Sequence, residues 1–257
     1  MTTYQQWIGR FAIGSSNDSF SIASNAFTLT SGNYYIAGYT SESTAQLCEH
    51  ITAKIIGTYA NAAVTYSETT GLVTFKIANS GTYTITWTDT ALQTLLGFTG
   101  TQSNAATYTA TMEPQHVWRP ERGASSYPAQ LNQFWAPRST TVVGRSRDGT
   151  TYAVRGNLLY DAEVSYTMLA DTRVITPAAT GTVTDLQGFF EDVIHVGQPI
   201  RVFPDRTLKA STSYVTALVS PGKDGDPIGS WQDFCGRHVA NYNGLWDVTL
   251  PLLKWVE

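Results

Sequence analysis

In run after run along this chain, apolar residues fall at every second position, and asparagine, serine, threonine or glycine separates one run from the next. That spacing suits a strand lying in a half-buried sheet, because a period of two sends alternate side chains to opposite faces. Phe20 and Ile22, Phe27 and Leu29, and Tyr34 and Ile36 form three such runs, and they predict short antiparallel strands. At Ser43 the period changes: Ser43-Thr44-Ala45-Gln46 fits a capping box, and Leu47, Ile51 and Ile55 recur at helical spacing up to Gly57, which predicts one amphipathic helix. Val64 and Tyr66, the turn Thr69-Thr70-Gly71, and Val73, Phe75 and Ile77 then read as a hairpin. Tyr83-Thr84-Ile85-Thr86-Trp87 reads as a further strand, leading into a short helix with Asp89 as its cap and Gly97 as its stop. Residues 1–113 are therefore expected to form an α+β unit.

From 114 to 139 the periodicity lapses. Pro114, Pro120, Pro128 and Pro137 stand among Trp118, Tyr127, Phe134 and Trp135, a combination that excludes a long helix but is too aromatic for a disordered linker. This stretch is expected to be an ordered interdomain connector. Regular patterning resumes at 140, where Thr140-Thr141-Val142-Val143, the turn Arg147-Asp148-Gly149 and Tyr152-Ala153-Val154 predict a hairpin. Leu158-Leu159-Tyr160 with Val164, Tyr166 and Met168 predicts the central strand of a second sheet. The clearest helix follows, with a capping box at Thr184-Asp185-Leu186-Gln187, one face made of Leu186, Phe189, Phe190, Val193 and Ile194, and Gly197 as its stop. Strands at Ile200-Arg201-Val202-Phe203, residues 214–219 and residues 245–250 complete the sheet, with a Gly-rich loop over 220–236. The fold expected is α+β and β-rich, with two domains, 1–113 and 140–257, each an antiparallel sheet with one or two short helices; 257 residues suffice for two cores.

Charged residues make up only 14% of the chain, against roughly 25% in ordinary soluble domains. A polar surface with few ions can be buried against another subunit without desolvating unpaired charges, so composition favours an assembly component. A net charge of −4 with scattered arginines argues against nucleic-acid binding. No stretch approaches the ~20 apolar residues of a membrane helix, and residues 1–10 lack the pattern of a secretory signal, so synthesis in the cytoplasm is expected.

Candidate chemistry fails on spacing. Cys48 and His50, two apart on a helix, point about 160° away from each other and cannot share a metal. Cys235 and His238 are better spaced but stand alone, and the distance between Cys48 and Cys235 favours ordinary thiols over a disulfide. His116 and His195 have no triad or ligand partner in sequence. Gly144-Arg145-Ser146-Arg147 is no nucleophile elbow, Asp224-Gly225-Asp226 lacks the remaining ligands of a calcium loop, and Glu191 with Asp192 fits a solvated helix face. The reading is of no enzyme, with no catalytic residues, metal ligands or cofactor. Among seven tryptophans and fourteen tyrosines, Trp87, Trp246 and Trp255 fall in or beside expected strands. Trp118, Trp135 and Trp231 fall in irregular segments and, with Tyr127 and Phe134, are the candidate interface anchors.

Two stretches resemble virion proteins of tailed bacteriophages. In residues 27–118, Phe27-Thr28-Leu29-Thr30 and Tyr34-Tyr35-Ile36 precede a helix, and Thr86-Trp87-Thr88 precedes Leu95-Leu96-Gly97-Phe98-Thr99-Gly100. In residues 189–256, Phe189-Phe190 is followed by Gly197-Gln198-Pro199-Ile200-Arg201-Val202-Phe203-Pro204-Asp205 and by Tyr242-Asn243-Gly244-Leu245-Trp246-Asp247-Val248, which resembles distal-tail or baseplate components. The resemblance implies a virion structural protein at the tail tip, copies of itself in a symmetric ring, and other virion proteins as partners. Within the virion the alternatives are a head decoration or a fibre-attachment protein. Outside it the rival is a carbohydrate-binding adhesion module, which a cluster of exposed aromatics on one sheet face would distinguish.

Overall fold

A computed structural model describes residues 6–36, 46–120, 130–139, 142–145, 151–154, 158–174, 185–203, 214–219, 237–238 and 245–254. In its N-terminal half the strands are short because a turn residue follows every few apolar positions. They are β1 (Gln6–Ile8), β2 (Phe11–Ile13), β3 (Ser19–Ile22), β4 (Asn25–Thr28) and β5 (Gly32–Tyr34), followed by helix α1 (Leu47–Ile55), β6 (Ala63–Tyr66), β7 (Val73–Lys76) and β8 (Tyr83–Trp87). Helix α2 (Thr90–Leu95), β9 (Gln102–Ala105), β10 (Thr107–Thr109) and β11 (Val117–Trp118) complete this half. Three antiparallel sheets result, in the orders β4-β3-β8-β9, β10-β7-β6 and β2-β5. Their inward residues, among them Phe20, Ile22, Phe75 and Ile85, join Leu47, Cys48, Ile51 and Ile55 of α1 in one hydrophobic core. Each large apolar side chain so buried contributes roughly 1.5–3 kcal/mol.

The two helices end as their sequences dictate, with one correction. Asp89 caps α2, its carboxylate accepting from Ala91 N–H at 2.7 Å, and Gly97 ends it at φ +82°, where a Cβ would collide with the Met112 carbonyl. Helix α1 does not use the capping box. Its N-cap is Gln46, whose side chain caps nothing, and Leu47 and Cys48 donate their N–H groups to the carbonyls of Tyr35 and Ile36. The preceding strand segment thus supplies the acceptors that a free helix end lacks.

The second half is built on longer strands: β12 (Gln130–Ser139), β13 (Val142–Arg145), β14 (Thr151–Val154) and β15 (Leu158–Ala170). Helices α3 (Asp171–Val174) and α4 (Leu186–Phe189) come next, then β16 (Ile200–Phe203), β17 (Val215–Val219), β18 (Arg237–His238) and β19 (Leu245–Lys254). β13 and β14 pair as the expected hairpin, from Val142 opposite Val154 to Arg145 opposite Thr151. The remaining strands build an eight-stranded sheet in the order β11-β1-β16-β17-β19-β15-β12, with β18 added beside β19. β15 is its longest strand but lies next to the edge, so the expectation of a central strand is corrected.

Asp185 caps α4, accepting from Gly188 N–H at 2.7 Å; the cap is Asp185 rather than Thr184. Residues Phe190–Ile194 continue as a π-helical turn, in which His195 N–H reaches back five residues to the Phe190 carbonyl at 2.7 Å. The helical face expected from sequence is the buried one, since Leu186, Phe189, Phe190, Val193 and Ile194 all lie in a second hydrophobic core with Val164, Tyr166, Leu169 and Val248. Glu191 and Asp192 face solvent.

The strand pairing does not divide the chain where periodicity lapsed. β1, from the expected first unit, pairs with β16 through Trp7 opposite Val202, and β11, from the expected connector, pairs with β1 through Trp7 opposite Trp118. β12, also from the expected connector, pairs with β15. Residues 114–139 therefore supply two strands of the large sheet instead of a bare link.

Candidate functional site

The chain passes from the large sheet into the N-terminal half and back again through two strands that lie side by side. Ile8 faces Val117, and Gly9 N–H donates to the His116 carbonyl at 2.8 Å, so residues 9–116 leave and rejoin the sheet at one place. This seam concentrates the buried polar chemistry of the described residues. It is the candidate functional site.

At its centre is a carboxylate between two guanidinium groups. Glu113 Oε1 accepts from Arg119 Nε at 3.0 Å and from Arg119 Nη2, while Glu113 Oε2 accepts from Arg173 Nη1 and Nη2 at 3.3 and 3.2 Å. The other Arg119 donors reach the tight turn between β6 and β7, at the carbonyls of Glu68 (3.2 Å) and Thr70 (3.0 Å). Arg173, on α3, also donates from Nε and Nη2 to the Arg119 carbonyl, at 2.8 and 2.6 Å. Both arginines are buried. A guanidinium presents a fixed planar fork of donors, and here those forks tie a turn of one half, the strand leaving it and a helix of the other half to one carboxylate. Gly71 makes room for the fork: it sits at φ +74°, and a Cβ there would strike the Arg119 guanidinium.

Beside this cluster the aromatics of the two strands meet the second core. The Trp7 ring lies edge-on to Trp118 at 5.6 Å, and Trp118 edge-on to Tyr166 at 5.2 Å. Trp7 Nε1–H donates to Tyr166 Oη at 3.0 Å and Trp118 Nε1–H to the Arg173 carbonyl at 2.8 Å, so both indoles are buried with their polar atoms paired. Burial pushes the Tyr166 phenol well above its ordinary pKa, offset in part by the hydrogen bond from Trp7. On the other flank the Arg201 guanidinium lies over the rings of Tyr35 at 3.8 Å and Tyr214 at 4.6 Å; the first is a cation–π contact of a β16 residue with the N-terminal half.

His116, His50 and the described cysteine are built into the packing of the N-terminal half. The His116 ring stacks on Phe11 at 5.0 Å and 11°, and Nδ1 lies 2.6 Å from the Arg10 carbonyl; a carbonyl only accepts, so Nδ1 carries the proton. Burial lowers the pKa of His116, opposed by that hydrogen bond and by the charge of Asp192. Asp192 is itself raised, by desolvation first, against the pull of His116. His116 borders an open cleft of about 420 Å³ with Asn17, Thr90, Thr94 and Gln115. His50 Nε2 accepts from Thr30 N–H at 3.0 Å, and Cys48 is fully buried, its thiol pushed up by desolvation. Among the described residues, no three His, Cys, Asp or Glu side chains gather as a metal site, and no helix is long and apolar enough to cross a membrane.

The five candidate anchors fare differently. Trp118 is fully buried within the chain, in a strand and not in an irregular segment; packed on Trp7 and Tyr166, it takes the other place open to a connector aromatic, sealing this chain's own junction. Phe134 and Trp135 lie on β12, so their segment too is a strand. Tyr127 and Trp231 lie outside the described residues, as do Cys235, the turn at Arg147-Asp148-Gly149 and the loop over 220–236. The sequence reading missed Glu113, Arg119 and Arg173, which are 6 and 54 residues apart and show no period. The one signal available was a Pro- and Trp-flanked arginine, Trp118-Arg119-Pro120, in a chain poor in charge.

Comparison of the chain with family models, with curated proteins and with solved structures finds no match.

Proposed function

We propose that this chain is a non-enzymatic structural and assembly protein of a tailed-bacteriophage virion, a ring component of the tail tip or baseplate with copies of itself and other virion proteins as its partners. The observation that carries the reading is the seam: the ionic groups gathered there, Glu113, Arg119 and Arg173, are bonded to one another and to backbone carbonyls. They hold two hydrophobic cores in register and leave the outer surface to recognition. A charge content of 14% supports the same reading, because such a surface is desolvated cheaply.

Light scattering over a concentration series, with the chain alone and mixed with phage tail proteins, tests the proposal. Self-association or binding to a ring-forming tail protein is the expected result. A chain that stays monomeric and binds none of them overturns it.

A further inference from the structure

The sheet β4-β3-β8-β9 ends on β4, and no described strand pairs with the outer edge of β4. Leu29 N–H donates to the Asp18 carbonyl at 2.7 Å. In an antiparallel ladder the hydrogen-bonded pairs alternate, so Phe27 with Phe20 and Asn25 with Ile22 are the pairs turned inward to β3. The N–H and C=O of Ala26 and Thr28 consequently point outward, and no described group bonds them. Both residues are exposed, whereas Phe27 between them is buried beside Tyr59. The open stretch stops at Thr30, whose N–H is taken by His50 Nε2.

Natural edge strands are usually blunted by a lysine, a proline or a bulge. β4 has none of these: its register with β3 is unbroken, and the sequence carries no charge or proline from Ser19 to Ser41. We propose that this edge is an interaction surface for a second copy of the chain, with two β4 strands adding antiparallel about a two-fold axis through Phe27. The edge is self-complementary. With Phe27 facing Phe27, Ala26 faces Thr28 twice, and those are the residues whose N–H and C=O point outward, so four interchain hydrogen bonds form in the alternation an antiparallel ladder requires. The outward-turned pairs that meet there, Ala26 and Thr28, are small, and no residue of the edge is charged, so like copies face each other without repulsion. This pairing stands on the edge geometry and is independent of the virion reading.

Sedimentation velocity of the full chain over a concentration series, with Thr28→Lys and Ala26→Pro variants, tests it. Thr28→Lys sets two like charges against the facing strand, and Ala26→Pro deletes an outward N–H that no described group of the monomer accepts. The expected result is a wild-type dimer whose dissociation constant rises at least tenfold in both variants while their near-ultraviolet circular dichroism is unchanged. A wild-type chain that is monomeric throughout overturns the proposal, and so does a dimer equally tight in a folded variant of either kind. Binding to tail proteins by a monomeric wild-type chain would leave the virion reading in place while removing this one.

Discussion

Replacing Glu113 with alanine removes the carboxylate that Arg119 and Arg173 share and brings two buried guanidinium groups face to face without it. Arg119 keeps its carbonyl acceptors at Glu68 and Thr70, and Arg173 keeps the Arg119 carbonyl, so desolvation is only partly offset. Deleting one partner of a buried ion pair costs about 3–5 kcal/mol, and the retained carbonyl bonds place Glu113→Ala toward the lower end of that range. Replacing the whole cluster, Glu113→Leu with Arg119→Leu and Arg173→Met, removes the buried guanidinium charges together with their carboxylate and should restore much of the loss. Urea melts followed by tryptophan fluorescence, which Trp7 and Trp118 report from the seam, and by far-ultraviolet circular dichroism measure both. If Glu113→Ala moves stability by under about 0.5 kcal/mol, as an exposed surface substitution does, the cluster does not hold the two cores together.

Three further outcomes are expected. Phe190→Ala should cost about 3–5 kcal/mol through lost burial and a cavity, while Glu191→Ala, one residue on and exposed, should stay within about 0.5 kcal/mol; equal effects in denaturant melts would refute the register of the helical face. Gly71→Ala puts a Cβ into both a left-handed backbone and the Arg119 guanidinium, and should lower the melting temperature by several degrees, roughly the effect of 1–3 kcal/mol. For His116 the folded pKa lies below the ordinary 6.5, so the unfolded chain takes up the proton first: its contribution is complete above pH 6.5 and is lost as pH falls toward the folded value. His50 acts in the same sense, and the raised Asp192 opposes both at lower pH. Melting curves from pH 7.5 to 5 should therefore show a shallower slope for His116→Asn, a residue tolerated at the positive φ of this position; an unchanged slope would refute the assignment.

Local structure was legible in the sequence wherever one period ran undisturbed. Val64 to Ile77 gave the hairpin, Asp89 and Gly97 gave the limits of α2, and the Leu186 to Ile194 spacing gave a buried face even though its last turn is π-helical. Caps were read less well because a local pattern competes with tertiary acceptors: at α1 the carbonyls of Tyr35 and Ile36 replace the box. Three-residue strands such as β1 and β2 are shorter than any period that reveals them. The seam was illegible for a different reason. Trp7 meets Trp118, and Glu113 meets Arg173, across 111 and 60 residues, and such pairings are set by how the sheet closes, which no window of sequence contains. Proline density marked the connector as irregular, when Val117–Trp118 and Gln130–Ser139 are strands.

The most direct measurement of the central claim is electron microscopy of assembled phage particles labelled with gold-conjugated antibody to this chain. Gold is expected at the tail tip of most particles, in numbers consistent with a ring. Label confined to heads or necks would contradict the tail-tip placement, and unlabelled particles with the chain left entirely in the free fraction would contradict the virion reading itself.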